Sequence, residues 1–335
     1  MRSRAAFGVI VALLASAIPG SVPMAQEPGE VLTLLLPGTE RELEFVWIPA
    51  GTFTMGSPPD QVGRDPDEGP AHPVQVAGFW MGTVEVTQDQ YAPFRFPTFD
   101  ADLAAPGQSF DVDAVTRPSP PYEDPGHGLG DGDHPSTGMT RYNALHYARW
   151  VWQKTGRFVR LPTEAEWEYA CGAGDAGGSL VSGLEERAWF EENSRGTHHP
   201  VGAWAPNAWG LHDMQGNVAE WVLDSYDAEA YAGRGDELRA EPPGAAGPIR
   251  GRGVVRGGAF DDPPQRLRCA ERSPEAGAWK RRDPQIPKSQ WWNTDSPHVG
   301  FRLVLPSIEP GSAAARAWFD EVLGGPSGGD RPTFD

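Results

Sequence analysis

The stretch RLPTEAEWEYACG, residues 160–172, carries the clearest local-structure signal in the chain. Thr163 is followed three residues later by Glu166, the capping box that begins many helices. Glu164 falls in the first turn, where the helix dipole favours an acid, and Gly172 is a stop signal. The pattern predicts a helix between Thr163 and Gly172. Because helix chemistry accounts for these acids, we assign them no catalytic role.

The segments upstream predict two more helices. Thr140 precedes RYNALHYARWVWQKTG, and Gly156 closes it. One face of that segment is apolar at helical spacing: Ala144, Tyr147, Ala148, Val151 and Trp152. Further upstream, Thr87 and Gln90 form another capping box and predict a helix over 88–94.

The region 97–138 lies between these two helices and is crowded with Pro, Gly and Asp without an apolar period. It predicts a long ordered loop or lid, and a flexible surface excursion is the alternative. His127 and His134 flank GLGDGD within it and form a candidate metal-binding pair. In the alternative, which is the commoner case for such a pair, both are exposed loop histidines that bind no metal.

The remainder of the chain favours short strands and turns. FVWIPAGTFTMGS predicts two strands around a turn, and VQVAGFWMGTVEV one further extended segment. The chain has 41 Gly, 34 Pro and 13 Trp, which favours aromatic residues packed between turns over long helices. Near the end, Ser312 is the predicted cap of a helix in AAARAWFDEVLG. These signals predict one loop-rich α+β domain with short strands and a few helices.

Residues 1–25 are typical of a secretory signal peptide, because Arg2 and Arg4 precede an apolar run too short to span a bilayer. We therefore expect a secreted or periplasmic protein with no transmembrane anchor. The net charge of −18 becomes more negative when the two leader arginines are removed. Such an acidic surface argues against nucleic acid as a partner. The sequence leaves the oligomeric state open.

The motifs together resemble a known family. FVWIPAGTFTMGS, EVTQDQYAPF, RLPTEAEWEYACGAG, NAWGLHDMQGNVAEWV, VVRGGAF, LRCAERS and VGFRLV stand in the order and spacing of the formylglycine-generating enzymes, or sulfatase-modifying factors. The resemblance implies a compact fold related to C-type lectin domains. It sets the predicted organisation: a signal peptide at 1–25, a lead-in at 26–44, the family domain at 45–306, and a C-terminal helix with a flexible tail at 307–335.

The resemblance also shows what this chain lacks. The founding enzymes oxidise a sulfatase cysteine to formylglycine with oxygen and a copper ion held by two cysteines. Here Ala259 stands at the family's serine and Asp262 at its first catalytic cysteine, and the following segment is too short for the second. Copper(I) requires soft thiolates that a carboxylate does not replace. We therefore do not expect a copper centre.

Asp261 and Asp262 are the candidate catalytic residues, since paired carboxylates can share a proton or bind a hard cation. In the alternative, both acids form ion pairs with nearby arginines. The candidate pocket residues around them are Arg256, Ala259, Arg272, Trp291, Trp292 and His298.

The segment DMQGNVAEW matches a calcium loop of the family. Ca²⁺ binds oxygen ligands. The resemblance assigns carboxylates to Asp213 and Glu220 and backbone carbonyls to Gly216 and Val218, with Asn217 bracing the turn. We expect a structural calcium ion, and a capped turn with solvated acids is the alternative.

Cys171 and Cys269 are the only cysteines of the chain. An oxidising compartment favours a disulfide between them. The resemblance implies that each has lost its family partner, so two buried free thiols remain the alternative.

Three functions stay open on this sequence. The first is an enzyme of altered chemistry, an oxidoreductase or modifying factor that acts on a protein or peptide through Asp261, Asp262 and a recruited metal. The second is a non-catalytic module that binds a peptide or glycan or serves surface assembly. The third is retained sulfatase maturation.

Overall fold

The computed structural model describes residues 26–96, 117–174, 183–235, 238–240, 248–249 and 251–324. The predicted signal peptide, the lid residues 97–116 and the predicted tail from 325 onward lie outside the described residues. Within the described ranges, no helix combines the length and apolar composition needed to cross a membrane.

Among the described residues, four α-helices form at the predicted places: α1 (Gln88–Arg95), α2 (Arg141–Thr155), α3 (Glu164–Cys171) and α4 (Ser312–Val322). In α3 the Thr163 hydroxyl accepts from the Glu166 amide at 3.1 Å, and the Glu166 carboxylate accepts from the Thr163 amide at 2.9 Å. The predicted cap of α4 is wrong. Ser312 is the first helical residue, and Gly311 precedes it without a side-chain cap.

In the part of the chain that the structure describes, the strands form three small sheets. The first has the order β1-β2-β5-β11 and is antiparallel throughout. Its strands are β1 (Val31–Leu35), β2 (Glu42–Ile48), β5 (Phe79–Gly82) and β11 (Val304–Pro306). The sequence did not predict β1, which lies within the 26–44 lead-in. The strand adds an edge to the first sheet.

The second sheet has the order β10-β6-β8-β9 and the third β3-β4-β7. The second contains β6 (Ala219–Ser225), β8 (Gly253–Arg256), β9 (Ser273–Pro274) and β10 (Val299–Gly300). The third contains β3 (Gly51–Met55), β4 (His72–Val76) and β7 (Arg239–Ala240). The short strands and few helices confirm the predicted α+β class.

One predicted extended segment is two strands. VQVAGFWMGTVEV places its first part in β4 and its middle in β5, which belong to different sheets. The chain changes sheet at Gly78, where a Cβ would lie 2.5 Å from the Trp47 ring. A residue without a side chain is therefore needed at this crossing.

Aromatic packing joins α1 and α2 to the sheets. Tyr147 stacks on Trp150 at 5.8 Å and meets Phe301 edge-on at 5.5 Å. Tyr91 and Phe94 of α1 contact the same tyrosine at 5.3 and 5.6 Å. These rings are almost fully buried, and such pairs add to the free energy gained by burial alone.

Helix α3 is buried along its whole length, and each of its acids pairs with an arginine. Glu164 lies 3.0 Å from Arg272, Glu166 lies 2.7 Å from Arg160, and Glu168 lies 2.5 Å from Arg256. All six side chains are buried. Since an unpaired buried charge is costly, these contacts fix the helix to its own lead-in at Arg160 and to the distant residues Arg256 and Arg272.

Cys171 and Cys269 form a disulfide with their Cα atoms 5.7 Å apart. The bond joins the last residue of α3 to the segment that follows the RGGAF motif. Both residues are buried, and the chain has no free thiol.

Replacing both cysteines by alanine should lower the free energy of unfolding by about 4 kcal/mol, because the bond constrains a 98-residue loop in the unfolded chain. Urea denaturation followed by tryptophan fluorescence measures this loss. Reduced wild-type protein is the matched control and should unfold at the midpoint of the double variant. A double variant as stable as the oxidised protein would contradict the expectation.

The Glu168→Gln substitution should cost about 3–5 kcal/mol, because it leaves the fully buried Arg256 guanidinium without its counter-charge. Urea midpoints again provide the measurement. The matched control is Asp89→Asn, which breaks a partly exposed pair with Arg41 and should cost about 1 kcal/mol or less. Equal costs for the two substitutions would show that burial of the Glu168 pair is not important for stability.

Candidate functional site

The RGGAF motif forms a tight turn at the end of β8. Gly257 and Gly258 both have positive φ, at 95° and 68°. A Cβ on Gly257 would lie 3.0 Å from the Met214 carbonyl oxygen, so these two backbone segments leave no room for a side chain at position 257. We call the segment 256–262 the floor turn.

The floor turn is joined through backbone atoms to the predicted calcium loop. The Gly216 amide donates to the Gly257 carbonyl at 2.9 Å, and the Phe260 amide donates to the Asn217 carbonyl at 2.9 Å. Gly216 and Asn217 also have positive φ. The two motifs therefore form one rigid unit, although about 40 residues of chain separate them.

Asp262 lies at the end of the floor turn and is half-buried, whereas Asp261 is exposed. One Asp262 carboxylate oxygen accepts from the Ala259 amide at 2.9 Å. Burial and the neighbouring Asp261 charge both raise the pKa of Asp262. Ala259, in the middle of the floor turn, is fully buried.

His298 precedes β10 and belongs to the same electrostatic group. Its carbonyl accepts from the Ala219 amide at 2.9 Å, which anchors it to β6. Burial lowers the pKa of His298, while the charges of Asp261 and Asp262 oppose that shift. Its ring meets the Trp279 ring edge-on at 5.6 Å. Trp279 was not among the predicted pocket residues, because no sequence motif marks it.

The predicted arginine partners of the two aspartates are engaged elsewhere. Arg256 and Arg272 form the buried pairs with α3, and Arg268 lies 2.5 Å from Glu68. Within the described residues, neither aspartate forms an ion pair, so the ion-pair alternative is wrong. Asp261 is exposed, and Asp262 is held by the amide of its own turn.

The two predicted tryptophans pack in the core near α1 and α2. Trp291 meets Tyr142 at 5.2 Å and His146 at 4.9 Å. Trp292 meets Tyr91 at 6.5 Å, and its indole N–H donates to the Ser119 carbonyl at 2.7 Å. Of the predicted pocket set, Ala259 donates its amide to Asp262, and the pKa of His298 responds to the charges of both aspartates.

His127 and His134 do not form the candidate pair. His127 Nε2 lies 2.6 Å from an Arg282 nitrogen, whereas His134 Nδ1 lies 3.0 Å from His198 Nδ1. Burial, followed by the nearby histidines, lowers the pKa of His198 to about 4. His134 thus contacts His198, and the His198 ring meets the Phe260 ring of the floor turn at 6.0 Å.

The two carboxylates of the predicted calcium loop differ: Asp213 has one oxygen without a hydrogen bond among the described residues, whereas both oxygens of Glu220 accept hydrogen bonds. Asp213 Oδ2 accepts from the Gly202 amide at 2.6 Å, while its buried Oδ1 has no partner among the described residues. Glu220 accepts two bonds from Arg302, at 2.6 and 2.7 Å, and one from the Trp167 indole at 2.8 Å. The residues at Asp213 fit a hard cation, which would satisfy this orphaned oxygen.

Asn217 braces the loop, in agreement with the sequence. Its side-chain oxygen accepts from the His199 amide at 2.9 Å, and its amide group donates to Glu85 at 3.1 Å. Glu85 was not predicted as part of this site. It lies in the EVT motif, far from the loop in sequence.

Comparison with known proteins identifies relatives of two kinds. The chain is 31% identical to a formylglycine-generating enzyme of Mycobacterium tuberculosis, over 79% of this chain and 98% of that protein. It is 33% identical to the serine/threonine-protein kinase pkn1 of Chlamydia pneumoniae, over 68% of this chain. The chain spans 35% of the length of that kinase.

Solved structures show the same architecture. PvdO from Pseudomonas aeruginosa superposes with a TM-score of 0.58 at 28% identity, covering 84% of this chain and all of PvdO. Treponema denticola variable protein 1 superposes with a TM-score of 0.57 at 20% identity, covering 82% of this chain and 99% of that one, and shows the fold alone. The sulfatase-modifying factor enzyme 1-like domain matches residues 35–305. The resemblance read from the motifs is confirmed: the chain belongs to the formylglycine-generating enzyme, or sulfatase-modifying factor, family.

Proposed function

We propose that this chain is a modifying enzyme that acts on a protein or peptide by acid–base chemistry at Asp262 and His298. The observation that carries the proposal is the position of Asp262 on the floor turn, together with its electrostatic influence on His298. Asp262 stands where the family places a catalytic cysteine, on a turn held by backbone bonds, and it interacts electrostatically with His298. Perturbed titratable groups in such an arrangement are typical of active sites.

Each group has a distinct role in this proposal. His298 has a lowered pKa and is neutral at pH 7, so it can accept a proton. Asp262 is fixed by its bond to the Ala259 amide, which leaves its other oxygen to orient the substrate or receive the proton. The exposed Asp261 adds negative charge beside both groups and favours a basic or neutral peptide.

Copper-dependent formylglycine formation lacks its ligands in this chain. Both cysteines are buried and bonded to each other, so no thiolate is left to bind copper(I). The disulfide and the leader-like residues 1–25 support a secreted or periplasmic location.

One observation favours the binding module as the second candidate. The Asp262 carboxylate already accepts from the amide of its own turn, as it would in a purely structural role. In that case the floor turn would hold a peptide or glycan without changing it.

We also propose that the loop around Asp213 binds a structural calcium ion. The buried Oδ1 of Asp213 supports this proposal, as does its position beside the backbone bond between Gly216 and Gly257. When bound, the ion would supply positive charge to a buried carboxylate and restrain the loop. It has no part in the proposed proton transfer.

Asp262→Asn should abolish modification while preserving the fold, because the amide oxygen can still accept from the Ala259 amide but the ionisable group is lost. The mature protein is incubated with a degenerate peptide mixture, and peptide masses are measured together with urea stability. The matched control is Asp60→Asn, an exposed acid remote in sequence from the floor turn. Peptides that are retained by the protein without any mass change would support the binding module instead.

A further arm with oxygen, copper and a sulfatase-type cysteine peptide should give no aldehyde.

The rate of modification should fall as the pH is lowered, because a proton acceptor must be unprotonated. Burial raises the pKa of Asp262 and lowers that of His298, so the loss should fall between their usual values of about 3.9 and 6.5. Initial rates of modification of one peptide substrate, measured from about pH 4 to 8, test this prediction, because this range covers the usual pKa values of both groups. His298→Gln should remove the part of the profile due to His298. A rate that rises on acidification would contradict the proposed roles.

A further inference from the structure

Residues 280–288, KRRDPQIPK, form a basic loop on a strongly acidic chain. The loop holds four basic residues and one acid, whereas the whole chain has a net charge of −18. Arg281 and Lys288 are exposed, and the Ile286 side chain is 98% exposed. A cluster of positive charge on such a surface creates a local potential that attracts anionic groups. The loop has no part in the proton transfer proposed above.

Hydrogen bonds at the base of the basic loop hold it in one conformation. The buried Asp283 carboxylate accepts from the amides of Gln285 and Ser289, at 2.9 and 2.5 Å. The buried Lys280 ammonium donates to the Ser289 carbonyl at 2.8 Å, and the Lys288 ammonium donates to the Asp283 carbonyl. A loop that is already ordered loses little conformational entropy when a ligand binds to it.

The exposed charges of the basic loop have no acid to neutralise them. Two nearby acids, Glu123 and Asp295, lie 3.5 and 2.6 Å from Arg282 and are paired with it. In the part of the chain that the structure describes, Arg281 and Lys288 form no ion pair. Their charges are therefore available to an external ligand.

Arg282 fastens the basic loop to the wall of the candidate site. Its amide and its Nε donate to the Asp295 carboxylate at 2.8 and 2.6 Å, and its Nη2 donates to the Thr294 carbonyl at 2.9 Å. The Trp279 carbonyl accepts from the Asp295 amide at 2.8 Å, and the Trp279 ring meets the His298 ring at 5.6 Å. The loop therefore begins beside the candidate proton acceptor.

We propose that the basic loop docks an acidic segment, with one apolar side chain, of the protein or peptide on which the floor turn acts. Arg281 and Lys288 pair with carboxylates of that segment, and Ile286 contacts its apolar side chain. The inference rests on the proposed function and names its substrate class: a basic or neutral residue at the floor turn, where Asp261 is exposed, and acidic residues over the loop. Because the two surfaces have opposite charge, they also set the direction in which the peptide lies.

An extended anionic surface, such as a lipid bilayer, matches the basic loop less well than a peptide does. A chain with a net charge of −18 is repelled by such a surface over its whole area, whereas a peptide segment contacts the loop alone. Salt screens charges beyond about 8 Å under physiological conditions. A short ligand thus gains the attraction of the loop without repulsion from distant acids.

Binding to the mature protein is measured by fluorescence anisotropy with three labelled peptides: Glu-Glu-Leu-Glu-Glu, a form with serine for leucine, and a form with lysine for every glutamate. We expect the first to bind most tightly and the lysine form not to bind. Arg281→Gln combined with Lys288→Gln should weaken binding of the first about fivefold, and Ile286→Ser should weaken it about tenfold. The matched control is Arg316→Gln, which removes an exposed charge on α4.

Two further measurements separate docking from a structural defect. Glutamate at both 281 and 288 should reverse the preference, so that the lysine peptide binds better than the acidic one, which a misfolded loop would not do. Salt raised from about 0.1 M to about 1 M shortens the screening length from about 10 Å to about 3 Å and should weaken binding of the acidic peptide to the wild type. Urea midpoints of all loop variants should equal that of the wild type, because the changed side chains are exposed.

Equal affinity for the acidic and lysine peptides, or unchanged affinity in the Arg281→Gln, Lys288→Gln variant, would overturn the proposal. Preferential binding to phosphatidylserine vesicles would assign the loop to a membrane instead. A dimer that dissociates when the loop charges are removed, detected by sedimentation, would replace the peptide by a second copy of this chain.

Failure of docking and failure of the proposed function give different results. Asp262→Asn should lose modification and still bind the acidic peptide with wild-type affinity. For a modified peptide extended by the acidic segment, the loop variants should raise KM and leave kcat unchanged. Docking without modification of any peptide would contradict the proposed enzyme alone, whereas modification with a KM that ignores the loop variants would contradict docking alone.

Discussion

The three buried ion pairs of α3 are the constraint on which the rest of the structure depends. Glu164, Glu166 and Glu168 lie on a helix of only eight residues, and each meets a different buried arginine. Glu168 also accepts from the Gly56 amide at 2.7 Å, which joins the end of β3 to the same helix. A short helix has little stability of its own, so this network, together with apolar packing and the disulfide, positions α3 and the floor turn beside it.

Local signals in the sequence predicted much of this arrangement. The three threonine caps gave the starts of α1, α2 and α3, because a cap depends only on residues within one turn. The motif order identified the family. Long-range pairs were beyond such reasoning: Arg256 and Glu168 are 88 residues apart, and no local pattern relates them. The sequence explained Glu164 and Glu166 as helix chemistry, which is incomplete because each of them also forms a buried ion pair with an arginine.

In the candidate site, too, residues in sequence motifs were predicted, whereas long-range contacts were not. Asp261, Asp262 and His298 were identified by their positions in family motifs, and the structure places them in one electrostatic group. Trp291 and Trp292 are buried against aromatic residues of α1 and α2, an environment that adjacent aromatic residues in a sequence predict as readily as a pocket wall. Glu85 escaped notice since its partner Asn217 is 132 residues away.

The floor turn is held mainly by main-chain atoms. The bond from Gly216 to Gly257 requires glycine at both positions, because each has a positive φ and no room for a Cβ. The bonds from Phe260 to Asn217, Glu191 to Asp262 and Asp262 to Ala259 join main-chain atoms and do not use the side chains of those residues. A substitution on this turn can therefore change the reactive group while the geometry around it persists. The scaffold separates the task of holding the floor turn in place from the choice of the side chains that the turn presents. That separation explains how a chain can lose the thiols of an oxidase and still present a defined, chemically different surface at the same position.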